Sequence, residues 1–598
     1  MNYREIRNLP VMFYEQAERY SGQPFLWRKT SGQWHPLTWK EVADKATALA
    51  HGLRALGVGK GDRVALVAEN RPEWLIADIA IMTAGAITVP AYITNTVNDH
   101  IHILSDSGSK CAIVSTAELA ETLLPAAAQT AGVDHVIAIE TPAIPVPDGV
   151  HVHNWESVLQ PHMNAGGHDG MLRDMARSDT CCIIYTSGTS GKPKGVMLSH
   201  GAILFNCMGA DEMLRRLPQF DDNGEIFLSF LPLSHSYEHT AGQYLPIAVG
   251  AQIYYAEGID KLMANIGETR PTIMTAVPRL YEVIHARIRH GIERAGGFKK
   301  AMFEETIRLG RKAYEDPDSL SLPERFKNAL LDRLVRKKVH DRFGGRLKAF
   351  VSGGAPLNYD IGLFFTALGL RILQGYGQTE SAPVISCNLP TRNKLHTVGP
   401  PLTGVEVRIA DDGEILVRGE LVMQGYWNNP DATAETIRDG WLHTGDIGRI
   451  DGDGFIEITD RKKDIIVNSG GDNLSPARVE GILTTAPEIE QAMVFGDRRP
   501  HLVAVIVPNP DFLKDWSKRN GKKDDLADMA NDDALQKELH DAVERINSNL
   551  SVIERVRRII VAPEAFTIEN EMMTPTMKLR RHVITARYRD SLEKLYGR

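Results

Sequence analysis

The chain is predicted to be an α/β protein: a large body of stacked α/β sheets, a small β subdomain and an α+β tail. Three observations carry this. Short β-rich runs alternate with helical patterns through the first three quarters of the sequence, which implies βαβ units and largely parallel sheets with helices on both faces. After about Leu402 the pattern changes to hairpins, and beyond Asp460 two strand-like runs precede helical stretches. At 598 residues, 43% of them apolar, the chain is long enough to bury several cores.

The strands are expected at Val64–Val67, Cys111–Val114, Val136–Ile139, Cys181–Ile184, Gln252–Tyr255, Thr272–Ala276, Lys348–Val351 and Arg371–Gln374. Asn70-Arg71-Pro72 opens a helix with an N-cap residue and an early proline, and Gly85 closes it. The apolar stretch Leu75–Pro90 contains Asp78 and ends at a proline, so it reads as a core helix plus a strand and not as a membrane span. Between residues 281 and 344 lies a run of charged helices with 15 Lys/Arg against 10 Asp/Glu from Tyr281 to Arg342, a local excess of +5. A solvated helical excursion accounts for it; the other reading is a surface for anionic lipid. In the β subdomain, about residues 402–460, Val405–Ile409 and Glu414–Val417 flank one Asp/Gly turn, and Arg449–Ile450 and Phe455–Ile458 flank another. The tail supplies Gln491–Phe495 and Leu502–Val507.

Composition narrows the function. The 68 basic and 76 acidic residues leave a net charge of −8, which disfavours bulk nucleic-acid binding. Cys111, Cys181, Cys182, Cys207 and Cys387 form no C-x-x-C pair and read as reduced core residues of a cytoplasmic protein. Met1–Pro10 carries charges and no apolar segment of a leader. Any membrane contact is therefore expected to be peripheral.

The richest chemical signal is Tyr185–Val196, Tyr-Thr-Ser-Gly-Thr-Ser-Gly-Lys-Pro-Lys-Gly-Val, which directly follows an expected strand. Glycines admit an anion close to backbone N–H groups, hydroxyls donate further hydrogen bonds, and lysines supply charge. That combination suits a polyphosphate. It is not a Walker A loop, because Thr186 stands where the first glycine belongs and Pro193 follows Gly191-Lys192. Two more loops follow strands, Ser352–Pro356 and Gly375–Glu380, where ligands of open parallel sheets bind.

These motifs resemble those of the adenylate-forming enzymes, the superfamily of acyl-CoA synthetases, luciferases and peptide-synthetase adenylation domains, from about Thr38 to Arg581. The helical insertion before Ser-Gly-Gly-Ala-Pro is most similar to long-chain fatty acyl-CoA synthetases. The resemblance implies the adenylate-forming fold, with residues 1–460 as the adenylation domain and 461–598 as a small mobile domain. It implies ATP, Mg²⁺ and coenzyme A, and two half-reactions: the fatty carboxylate attacks the α-phosphate to give acyl-AMP and pyrophosphate, then a thiol displaces AMP. In this reading Thr186, Ser187, Gly188, Thr189, Ser190, Gly191 and Lys194 hold phosphates, and Thr186 and Glu380 hold Mg²⁺, a hydroxyl and a carboxylate suiting a hard cation. Gly353, Gly354, Ala355, Pro356, Gln374, Gly375, Tyr376 and Gly377 wall the adenine, with the Tyr376 ring against the base. Thr379 reaches the α-phosphate, and Asp446 and Arg461 hold the ribose. Lys578, in Thr574–Arg581, bridges carboxylate and α-phosphate; His235 lies near the acyl carboxylate and thiol entry. Lys463 is the hinge, and Gly470 and Gly471 form a coenzyme A motif, departing from the family pattern at Asp472. Tyr237, Tyr244 and Phe350 are candidate acyl-tunnel residues. A carrier-protein thiol as acceptor, and a non-catalytic acyl-adenylate- or nucleotide-binding protein, stay open as alternatives, as does a homodimer.

Overall fold

The computed structural model describes residues 1–186, 193–470, 472–574 and 578–597. Two eight-stranded sheets form the body. In the first, Ile87–Pro90, Arg63–Val67, Ser109–Val114, His135–Ala138 and His151–Asn154 run parallel to Thr180–Thr186, while Lys194–Ser199 folds back antiparallel on Thr180–Thr186 and the short Gly425–Tyr426 adds antiparallel at the edge. In the second, Ile372–Gly377, Ala349–Ser352, Ile273–Ala276, Ile226–Ser229, Gln252–Tyr255 and Pro24–Thr30 are parallel, with antiparallel edges Val384–Cys387 and Gln33–Thr38. Every strand expected from the sequence in this body is present.

One apolar cluster joins the two sheets through the helices Trp39–Ala55, Pro72–Thr83 and His200–Leu214. Pro72–Thr83 is buried at every residue but Glu73, as a helix apolar all round must be. It ends as expected: Gly85, at φ +88°, donates to the Met82 carbonyl, and Ala86 donates to Ile81, a Schellman closure. Its start differs from the expectation. Asn70 does not cap it; the cap position is Arg71, and the Asn70 amide donates instead to the Leu231 carbonyl at 2.8 Å, tying this strand end to the loop before His235.

The same helix carries a buried charge into the core. Asp78 accepts a hydrogen bond from Nε2 of His239 at 2.9 Å and one from the Tyr244 hydroxyl at 2.5 Å, all three fully buried. Burial works against a charged imidazole here, yet Asp78 raises His239 above the usual histidine range. Next door, burial pushes Glu238 up to about 7, and its two oxygens accept from Ser229 and Thr275. These bonds fix the π-helical turn Glu238–Tyr244, which begins three residues after His235.

The β subdomain is the expected pair of hairpins, Glu406–Ile409 with Glu414–Arg418, and Trp441–Ile450 with Ile456–Arg461. In the tail, Ile489–Phe495 and Leu502–Pro508 are antiparallel, and a third strand not foreseen, Val556–Val561, adds in parallel. Residues from Ile466 onward pack into their own apolar clusters, which share no residue with those of the body. The five cysteines are buried and unpaired. Among the described residues no helix is long and apolar enough to cross a membrane.

Candidate active site

The site forms where strand ends of both sheets, the β subdomain and the tail meet. Ser187, Gly188, Thr189, Ser190 and Gly191 of the phosphate motif lie outside the described residues, as does Gly471. What flanks the motif is built tightly. Thr186 and Lys194 are register partners across the strand pair. The Tyr185 hydroxyl donates to Asp106 at 2.6 Å, and a Cβ on Gly195 would stand 2.7 Å from Ile183 and 3.1 Å from the Tyr185 ring, so only glycine fits. The Lys194 ammonium lies 4.9 Å from the centre of the Tyr426 ring, and the Tyr426 hydroxyl donates to Oε1 of Glu380 at 2.8 Å. Tyr426 thus connects the two motifs. The sequence reading missed it; its one signal was Gly425-Tyr426-Trp427, aromatic residues following a glycine between hairpins.

Glycines again decide the second wall. A Cβ on Gly377 would fall 1.7 Å from the Pro383 carbonyl oxygen, and one on Gly353 would meet the Tyr237 ring at 3.1 Å. Gly354 sits at φ +84°, and Ala355 and Pro356 beside it are exposed. Gly375 brings its backbone against Ser386. Gln374 is buried with its amide on the Leu395 carbonyl, a bond inside the fold. Tyr376 is also buried, and its hydroxyl donates to Asp446 at 2.7 Å. Asp446 pairs in turn with Nε of Arg461 at 3.2 Å, because these residues stand opposite each other in the second hairpin. Burial lifts the Asp446 carboxyl above the usual carboxylate range, against the pull of Arg461, the Tyr376 hydroxyl and Lys578.

Lys578 reaches this same point from the far end of the chain. Its backbone N–H donates to the Thr574 hydroxyl at 3.1 Å and its carbonyl accepts from the Thr574 N–H, closing a small loop. Its ammonium interacts with Arg461, Asp446, Glu380 and the His235 ring. Burial, and next Arg461, push it down to about 8, while Asp446 and Glu380 oppose the shift. His235 is held neutral: burial first and Lys578 second push it down to about 3. The Tyr237 N–H donates to its Nδ1 at 3.1 Å, which leaves the ring proton on Nε2. Thr379 shares a 3.1 Å hydrogen bond with Ser236, the residue after His235.

Lys463 is exposed and forms no ion pair among the described residues, whereas its neighbour Lys462 is tied to Asp412 and Glu414. Gly470 lies apart from this cluster in a turn organised by Asn468, whose side-chain carbonyl accepts from the N–H groups of Gly470 and Asp472. The Asp472 carboxylate accepts from the Asn468 amide at 3.0 Å. Of the tunnel candidates, Tyr237 lines a narrow apolar cavity of about 30 Å³ together with Met213, Phe227, Ala241 and Leu402. Tyr244 and Phe350 do not line it; Tyr244 belongs to the Asp78 cluster, and Phe350 packs against Tyr281 and Phe343.

Lys194 beside Tyr426 and Glu380, Asp446 held by Tyr376 and Arg461, and a buried lysine that interacts with both carboxylates form a polar cluster of the kind a nucleotide-dependent ligase needs. The chain belongs to the AMP-binding enzyme family: residues 13–427 match the family's AMP-binding enzyme model and residues 463–598 its C-terminal domain. It is 34% identical to the long-chain-fatty-acid–CoA ligase FadD15 of Mycobacterium bovis over 99% of this chain and 97% of that one. It is 30% identical to the peroxisomal long chain acyl-CoA synthetase 7 of Arabidopsis thaliana, over 100% and 87%. Among solved structures, the adenylation domain of a carboxylate reductase from Mycobacterium chelonae shares the fold, with a TM-score of 0.77 at 20% identity over 99% of this chain and 91% of that one.

Proposed function

We propose that this enzyme activates a medium- or long-chain fatty acid with ATP and transfers the acyl group to coenzyme A, releasing AMP and pyrophosphate. The observation that carries the reading is the convergence of Lys578 with Asp446, Arg461, Glu380 and His235, residues up to 343 positions apart. Bringing a carboxylate to a polyphosphate joins two anions, so the site must supply fixed positive charge and donors. Lys578 is the mobile cation placed between them, and the Nε2–H of neutral His235 is a donor for the acyl carboxylate. Asp446 accepts from the ribose hydroxyls beside Arg461, and Tyr376 holds Asp446 in place. Thr379 donates toward the α-phosphate, and Thr186 and Lys194 begin and end the phosphate loop.

The donors at the phosphate end also fit Mg²⁺. Glu380 and Thr186 are hard oxygen ligands, and one Glu380 oxygen is engaged by Tyr426 while the other makes no hydrogen bond among the described residues. When bound, the ion neutralises phosphate charge. The apolar cavity beside Tyr237 receives the start of the acyl chain; Met213 and Leu402 must move to admit more of it. The segment from Arg461 onward acts as a separate mobile unit, with exposed Lys463 at its hinge, and the Gly470 turn serves the thiol step.

Pyrophosphate release and thioester formation, measured over saturated acids from acetate to stearate with and without coenzyme A, test this. Thioester formation with long acids supports the reading. Acyl-AMP without thioester assigns the thiol to a carrier protein instead, and no pyrophosphate with any acid refutes the activity. Lys578→Ala should lose about 10²–10³ in the adenylation rate, as removal of a charge-stabilising donor does, while sparing thioester formation from supplied acyl-AMP.

A further inference from the structure

We propose that the outer face of the helical excursion, centred on Leu322–Arg336, docks on an anionic lipid bilayer. The excursion is built of the helices Pro278–Ala295, Gly297–Glu315, Leu322–Leu331 and Lys337–Arg342, with a π turn Asp332–Arg336 between the last two. Its third helix is apolar on two faces. One, Leu331 with Val335, is buried in the cluster beneath it. The other, Leu322, Phe326, Leu330 and Leu334, stands in solvent with exposures of 81%, 78%, 49% and 39%. A four-residue spacing drifts about 40° per step around a 3.6-residue helix, and the wider π turn offsets that drift at Leu334. The result is one continuous stripe. Phe298, at the start of the neighbouring helix, is 77% exposed as well.

Scattered exposed apolar residues need no explanation, but a contiguous stripe of leucine and phenylalanine marks a surface that meets another apolar phase. Charge selects the occupant. Arg294, Lys299, Arg333, Lys337 and Lys338 are exposed and have no carboxylate partner among the described residues, and Arg333 and Lys337 fall on the same side of the helix as the stripe. The acidic residues of the stretch are already occupied: Glu324 pairs with Arg308 and Lys312, and Asp332 with Arg336. Apolar side chains bordered by free cations fit the headgroup–acyl boundary of an anionic leaflet. The basic run Arg336-Lys337-Lys338 does not act as a unit, however. Arg336 points inward, donating to the carbonyls of Ala367, Thr306 and Asn328, and is a staple of the fold.

The proposal does not rest on the chemistry of the ligase site. Its test is co-sedimentation of the full-length protein with vesicles of phosphatidylcholine alone or mixed with phosphatidylglycerol, at low and high salt. The wild type should partition onto the mixed vesicles at low salt. Phe326→Ser/Leu330→Ser should weaken that partitioning roughly tenfold or more, and Lys337→Gln/Lys338→Gln should weaken it only at low salt. Both variants should keep the wild-type melting temperature and adenylation rate on a soluble short acid, because the side chains are exposed. Partitioning equal to wild type in the serine variant, or no partitioning of the wild type onto mixed vesicles, overturns the proposal. So does a serine variant whose only change is a smaller mass by light scattering, which would make the stripe a contact between copies of the chain.

Discussion

The pH dependence of adenylation isolates Lys578 from its surroundings. In the proposed reaction the lysine must be protonated to join carboxylate and phosphate, and its burial beside Arg461 pushes it down to about 8. Because the pKa is lowered, the useful ammonium is lost as pH rises through that value. About nine-tenths of the side chain is protonated at pH 7 and about one-tenth at pH 9, so kcat/KM for ATP should fall roughly tenfold between them. An ordinary lysine, titrating near pH 10.4, would show almost no decline over that interval. His235, pushed down to about 3, should add no limb between pH 5 and 7. The assay is pyrophosphate release under subsaturating ATP, with the thioester step measured separately from supplied acyl-AMP. Lys578→Arg should turn slowly but lose the alkaline limb, since a guanidinium stays charged throughout. A flat wild-type profile from pH 7 to 9.5, or the same limb in Lys578→Arg, refutes the assignment.

Tyr376→Phe removes the hydroxyl that Asp446 accepts in a buried setting; a loss of about 1–2 kcal/mol should appear as a KM for ATP raised about tenfold, with melting little changed. Gly377→Ala forces a Cβ onto the Pro383 carbonyl oxygen, and denaturant unfolding should show at least about 2 kcal/mol of lost stability. Arg279→Ala/Asn358→Ala removes two ties between the body and the tail, the Arg279–Glu490 pair and the 2.7 Å bond from Asn358 to the Gly481 carbonyl. It should slow adenylation several-fold and leave the thioester step from acyl-AMP intact; equal loss of both steps would show that these contacts serve folding alone.

Strands were readable because a buried parallel strand is a short apolar run bounded by turn residues, and each such run, from Val64 to Gln374, lies in a sheet. Hairpins were readable from their Asp-Gly turns. Val556–Val561 was not, because Arg557 and Arg558 interrupt its apolar pattern on the exposed side. Asn70 was misread as a cap because its side chain has a tertiary partner in Leu231, which local pattern does not encode. In the site, the motifs marked the loops but not the supports between them. Tyr426 lies 46 residues from Glu380 and acts only through the fold. The motif presents Tyr376 as a ring for the base, and nothing in it signals that the hydroxyl also donates to Asp446.

On the proposed reading, the lowered pKa of Lys578 would also let one site serve two steps. A lysine held far below its solution value is in surroundings that stabilise its charge poorly: Arg461 repels it, and Asp446 and Glu380 only partly compensate. On the proposed reading, bound ATP would supply negative charge at this point. With ATP and a carboxylate present, the ammonium gains anionic partners and the closed arrangement is favoured; once pyrophosphate has left, much of that gain is gone. Among the described residues the tail is held by a few polar ties, including the Arg279–Glu490 pair, the Asn358–Gly481 bond and the Asp460–Ser475 bond, and no apolar cluster spans the two parts. The first two are half-buried, and such ties are few against the surface of the whole tail; on the proposed reading, losing substrate charge therefore favours release of Lys578. On that reading the arrangement is set by the charge state of the substrate, and a tail released in this way would turn a different face to the acyl-adenylate when the thiol arrives.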